Sequence, residues 1–266
     1  MTDNERYFFD LNGYLTVPNA LTPDQIAAIN EMIDQRIESH SDPRASNFGF
    51  GDLLSWRGPM LNLIDNVPVL PYLDGMFGPM PWAKPDRGPF YRLDHTYITV
   101  IRPNAKDAGA WTLHGGGTPY DPGQFYRVSE GLLYNGLVVV AYNLTDVDEG
   151  DGGLGVVPGS HKANFRLPHD WQDLRKGSPV AKAVTGKAGT AVFFTEALSH
   201  GTLPWKGNHE RRTVFFKYHN FCSAFGETYL DESTQNIEEL TERQRRLLEA
   251  PNSRGKGRRR AELQPR

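Results

Sequence analysis

The chain has 266 residues, 29.9 kDa and a formal net charge of -3, a length that suits one enlarged domain better than two. With 38% hydrophobic residues, and with 27 glycines and 19 prolines that follow no repeat period, it is neither collagen-like nor wholly disordered. No apolar run is long enough for a membrane span and the start, Met1 to Asp10, has no apolar leader, so a cytoplasmic protein is expected. The lone Cys222 excludes an internal disulfide and thiolate zinc clusters, which leaves His, Asp and Glu to hold any metal.

In chain order, Gly13 to Pro18 alternates like a short strand that ends at proline. Thr22-Pro23-Asp24-Gln25 then has the form of a helix start, with Thr22 as N-cap and Gln25 closing a capping box. Ile26, Ile29, Met32, Ile33 and Ile37 continue it at helical spacing. From Phe48 to Phe90, glycines, prolines and aromatics predict irregular loops and short helices. After Arg92 short β-rich runs dominate: His95 to Ile101, Leu132 to Tyr142, Leu154 to Pro158, Thr190 to Phe194 and Thr213 to His219. Many short strands with turn clusters between them predict a sandwich, barrel or jelly roll, with helices outside a β core.

Asn236 to Ala250 is amphipathic and is expected to be helical. Charge divides here, because residues 243–266 carry +7 and residues 1–242 carry -10. We therefore expect one domain over 1–242 and a basic, flexible tail over 243–266. An acidic body argues against an enzyme that tracks phosphates along a nucleic acid, so no specific nucleic-acid partner is expected.

Two histidines stand where chemistry is expected. His114 follows Trp111-Thr112-Leu113 and precedes Gly115-Gly116-Gly117, so its imidazole leaves a strand where the backbone opens. His200 comes shortly after the apolar run Ala191 to Phe194, and two such exits can meet in the mouth of a jelly roll. Arg211 opens the next strand, where its planar guanidinium could hold a carboxylate with two parallel hydrogen bonds. Asp94 and His95 are adjacent on a strand and are expected to face opposite ways. The aromatics Tyr97, Trp111, Tyr120, Phe125, Tyr126 and Trp205 are candidate walls of a small-molecule pocket.

Four stretches together resemble the phytanoyl-CoA dioxygenase family of Fe(II)- and 2-oxoglutarate-dependent oxygenases. They are Phe8 to Leu15, Asp151 to Lys162 with its Gly-Gly-Leu and Pro-Gly-Ser-His-Lys elements, Gly189 to Phe194, and His200-Gly201 followed by Arg211. The resemblance implies a mainly β, cupin-like double-stranded β-helix. It also implies His114 and His200 as metal ligands, Arg211 pairing the C5 carboxylate of 2-oxoglutarate, and O₂ as the second co-substrate. Thr213 is expected to add a hydroxyl to that carboxylate, and His161 falls in a turn that the resemblance makes structural.

One departure matters. The family pattern is His-x-Asp/Glu, but the residue two after His114 is Gly116, which offers no ligand. In one explanation chloride or bromide fills the position, as in halogenating relatives that resemble this chain in having Gly or Ala there. In a second, Glu196, Asp121 or Asp151 supplies the carboxylate, Glu196 being the strongest as an acid on an apolar strand exit. In a third, metal binding is lost and the domain is a non-catalytic small-molecule binder. Hydroxylation or a related oxidation of an aliphatic C–H bond is placed ahead of halogenation, because the halogenase case rests on one residue. A zinc hydrolase built on the two histidines and Glu196 is a more distant alternative.

Overall fold

The computed structural model describes residues 1–79, 88–103, 105, 111–225, 234 and 236–252. The N-terminal helix α1 (Asp3–Asn12) starts on a Thr2–Glu5 capping box, and strand β1 (Tyr14–Val17) follows it directly. Helix α2 (Pro23–Glu38) begins on the Thr22–Gln25 capping box read from the sequence and buries Ile29, Ile33 and Ile37. Each of these side chains contributes about 1.5–3 kcal/mol of burial free energy. Helices α3 (Pro59–Asn62) and α4 (Leu70–Met76) extend the same helical layer, whose apolar side chains join one core with the sheet beneath.

That sheet has six antiparallel strands, in the order β1, β9 (Ala191–Thr195), β6 (Leu137–Asn143), β11 (Arg211–Asn220), β3 (Tyr91–Ile101) and β2 (Asn47–Gly51). A smaller sheet of β10 (His200–Leu203), β7 (Gly153–Val156) and β8 (Lys182–Ala183) covers its other face, and a hairpin of β4 (Tyr126–Ser129) and β5 (Leu132–Asn135) stands apart. The two facing sheets make the mainly β jelly roll that the sequence predicts.

Alternation along β11 decides what faces the site. Val214, Phe216 and Tyr218 enter the helix-side core, whereas Phe215 enters the core between the sheets. Arg211, Thr213 and Lys217 share the parity of Phe215 and so share its face.

The run expected from Leu132 to Tyr142 is broken into β5 and β6 at Gly136, where a Cβ would collide with the backbone of Gly123. The expected helix over 236–250 contracts to α5 (Glu242–Leu247), which begins on a Thr241–Gln244 capping box. The domain also extends past residue 242, because Leu247 and Leu248 are buried in the helix-side core and Gln244 donates to the carbonyl of Leu61 at 3.0 Å. The remainder of the expected tail, 253–266, lies outside the described residues.

The Pro-Gly-Ser-His-Lys element latches α1 onto the barrel. His161 is 2% exposed, donates from Nε2 to the carbonyl of Asp10 at 2.9 Å and has no partner at Nδ1. Lys162 and the Tyr126 hydroxyl bind the carboxylate of the same Asp10. Burial pulls the His161 imidazole down to about 4. An unfolded chain takes up that proton near pH 6.5, the folded chain only near its lowered value, so this group weakens the fold as pH falls between the two. The loss reaches about 3 kcal/mol at the acid end. Urea unfolding at about pH 7 and about pH 4.5 is expected to show a steeper acid loss for the wild type than for His161→Gln, and parallel behaviour would contradict the assignment.

Candidate metal and co-substrate site

His114 and His200 face each other as an isolated antiparallel bridge. Each backbone N–H donates to the other's carbonyl, at 2.9 and 2.8 Å, and the rings lie 4.1 Å apart between centroids. His200 donates from Nδ1 to the carbonyl of Leu198 at 2.7 Å, and His114 donates from Nδ1 to the carbonyl of Thr112 at 3.3 Å. Both bonds assign the proton to Nδ1 and leave Nε2 with a free lone pair, the form a metal requires. Burial depresses His200 to about 4, against the opposing pull of Glu196, so its imidazole is neutral at ordinary pH.

Of the three carboxylates considered from the sequence, Glu196 alone joins the histidines. His114, Glu196 and His200 each offer a ligand atom, and these atoms lie within 4.8 Å of one another. Glu196 Oε2 is 3.8 Å from His200 Nε2, while Oε1 accepts from Lys217 Nζ at 2.5 Å. Burial opposes ionisation of Glu196, but His200 and Lys217 outweigh it and hold the carboxyl below its ordinary range. Asp121 instead accepts from the amide of Gly123 at 2.7 Å and Asp151 from that of Asp148 at 2.9 Å, each closing its own turn.

The glycines after His114 have a packing role that the sequence does not reveal. A Cβ on Gly115, at φ +77°, would lie 2.6 Å from the carbonyl oxygens of both Glu196 and Leu198. Gly116, at φ +116°, donates to the carbonyl of Ala197 at 2.8 Å, and a Cβ there would meet Ser199 Oγ at 3.1 Å. The bare backbone thus lets the His114 segment press onto the turn that carries Glu196. Gly116→Asp is accordingly expected to cost about 1–3 kcal/mol of stability without tightening metal binding. Thermal unfolding and Co(II) titration of the variant check this, and tighter binding would show that an acid at 116 reaches the metal.

Beside the histidines lies a cavity of about 220 Å³ whose lining includes Tyr97, Thr99, His114, Phe194, His200 and Arg211. Arg211 is 3% exposed, forms no ion pair among the described residues and leaves Nε without a partner. The hydroxyls of Thr213 and Thr99, opposite each other in the β11–β3 register, are buried and unpartnered too. Burial lowers the guanidinium to about 10, still far above neutrality. A buried, unpaired cation is costly in isolation, so this corner is built for an anion with several acceptor oxygens.

Of the aromatics proposed as walls, Tyr97 alone lines this cavity. Tyr126 belongs to the Asp10 latch, Trp205 donates to the carbonyl of His209, and Tyr120 is exposed. Asp94 and His95 do not point apart as expected, because a register shift at Lys217/Tyr218 falls beside them and Asp94 Oδ2 bonds His95 Nδ1 at 2.7 Å. Sequence reasoning missed Lys217. The alternating polar positions Arg211, Thr213 and Lys217 were the available signal.

Residues 94–213, which include His114, Glu196, His200 and Arg211, match the model of the family described as Phytanoyl-CoA dioxygenase (PhyH). Over this segment, 120 of the 266 residues, the chain is similar to the phytanoyl-CoA dioxygenase family. The fold agrees with solved structures of HygX from Streptomyces hygroscopicus. HygX with nickel and 2-oxoglutarate bound is 22% identical, with a TM-score of 0.71 over 82% of this chain and 87% of that one. HygX with nickel, 2-oxoglutarate and hygromycin B bound is 23% identical, with a TM-score of 0.67 over 82% and 87%. HygX with iron bound is 22% identical, with a TM-score of 0.67 over 82% and 86%. No curated protein sequence matches the chain. Among the described residues, no helix is long and apolar enough to cross a membrane.

Proposed function

We propose that the chain is a mononuclear non-haem iron enzyme that uses 2-oxoglutarate and O₂ to hydroxylate, or otherwise oxidise, an aliphatic C–H bond of a small molecule. The observation that carries this reading is the buried Arg211, without an ion-pair partner among the described residues, in one cavity with the imidazoles of His114 and His200. The residues fit the group: two nitrogen donors and one carboxylate form the set that iron(II) oxygenases use, with positions left open. His114, His200 and Glu196 would hold the metal, and Arg211 and Thr213 would hold the C5 carboxylate of 2-oxoglutarate. Bound together, iron(II), 2-oxoglutarate and O₂ supply an oxidant strong enough for an unactivated C–H bond, with succinate and CO₂ as co-products.

The protein's part is to bind and orient. Leu198 and Thr112 hold the imidazole tautomers, Lys217 holds one oxygen of Glu196, and the wall of Tyr97, Phe194 and Phe215 keeps water from the guanidinium. The small-molecule ligand of HygX supports a small-molecule substrate for this fold. A zinc hydrolase would use the same three ligands but would leave Arg211 without a task.

Anaerobic addition of Fe(II) and 2-oxoglutarate is expected to produce a visible charge-transfer band. A flat spectrum would return the chain to the class of non-catalytic binding proteins. Halogenation is the second reading, favoured by the ammonium of Lys217, which neutralises Glu196 and leaves a halide free to take the position beside Gly116. In that case chloride or bromide shifts the band, and in the hydroxylase it does not.

A further inference from the structure

We propose that Lys217 is a positioning residue that confines Glu196 to the metal through one oxygen only, leaving a further coordination position free for the co-substrate. This rests on the reading of Glu196 as a metal ligand. The two oxygens of Glu196 have different neighbours: Oε2 is turned toward His200 Nε2 at 3.8 Å, and Oε1 is bonded to Lys217 Nζ. A free carboxylate binds a cation through one oxygen or through both. Two-oxygen binding would occupy an additional position on an ion that must also accept two imidazoles, a chelating keto acid and O₂. The ammonium on Oε1 competes for that oxygen's lone pairs and closes this mode.

The surroundings leave Lys217 little freedom to withdraw. It is buried on the inner face of β11, six residues beyond Arg211, between Val139 on β6 and His95 on β3. Its ammonium lies 5.4 Å from the centroid of the Tyr97 ring, and that ring is stacked on Phe215 at 4.5 Å. Glu196 is the one carboxylate paired with it among the described residues. A single strand face therefore carries both the cation for the co-substrate and the clamp on the carboxylate.

The test uses the full chain with Zn(II) alone as probe and reads the infrared difference spectrum between the loaded and metal-free protein. One-oxygen binding separates the two carboxylate stretching bands widely, and two-oxygen binding brings them close. Wild type and Lys217→Arg are expected to show the wide separation and Lys217→Met the narrow one. Lys217→Met should also weaken 2-oxoglutarate binding to the Co(II) protein about 10-fold or more. A wide separation and unchanged 2-oxoglutarate affinity in Lys217→Met would overturn the proposal. If Lys217→Met does not fold, Lys217→Gln, which lacks the charge and the reach, is read by the same two outcomes. Glu196→Gln separates the underlying reading: if it keeps the wild-type carboxylate bands and metal affinity, Glu196 is no ligand, whatever Lys217 does.

Discussion

Arg211→Ala is expected to raise the dissociation constant for 2-oxoglutarate by about 30- to 1,000-fold, equivalent to ~2–4 kcal/mol, the value of a charge-assisted, two-pronged contact in a dry site. Metal binding should stay within about threefold, because Arg211 offers no lone pair and touches neither imidazole's proton. Stability provides an independent check. The guanidinium is buried with no anionic partner among the described residues, so its removal relieves a desolvation cost. The melting temperature of Arg211→Ala is therefore expected to match or exceed that of the wild type while co-substrate binding is lost, as when stability is sacrificed at a functional site. Calorimetric titration with 2-oxoglutarate beside a thermal melt measures both. A variant that loses metal and co-substrate together would make Arg211 a structural residue.

Glu196→Gln is expected to act in the opposite sense on stability. The substitution keeps the shape but removes the charge that compensates buried Lys217, and breaking a buried pair on one side costs about 3–5 kcal/mol. For a chain of this size that corresponds to a fall of about 6–20 °C in melting temperature. Metal affinity should fall by at least about 100-fold, the upper range for losing even an outer partner of a ligand. Combining Glu196→Gln with Lys217→Met should restore much of the stability and none of the metal affinity, since the stability loss belongs to the pair and the affinity loss to the carboxylate. Co(II) titration of the three variants separates these effects.

Local signals were legible from the residues, and contacts between distant segments were not. The Thr22–Gln25 box fixed the start of α2 because both partners lie within one turn, and the same box at Thr241–Gln244 marks the true start of α5. His114, His200 and Arg211 could be singled out because each sits in a distinctive motif, although only His200 and Arg211 open strands and His114 lies in an isolated bridge. Gly136 broke an expected strand because Gly123, on another loop, packs against it.

The role of Gly116 was hidden in the same way. Motif comparison makes it a missing ligand, but its positive φ and its hydrogen bond to the carbonyl of Ala197 belong to the packing of His114 against the 196–199 turn. Lys217 was invisible for a further reason. A lysine on a strand usually reads as a solvent-facing charge, and only the partner 21 residues away along the chain, Glu196, keeps it inside.

The most direct test is a crystal structure of the chain with iron and 2-oxoglutarate bound under anaerobic conditions. The account predicts Nε2 of His114, Nε2 of His200 and one oxygen of Glu196 at about 2.0–2.2 Å from the metal, with Arg211 on the far carboxylate of the co-substrate. A halide in the coordination sphere, with Glu196 still held on Lys217 away from the ion, would contradict it.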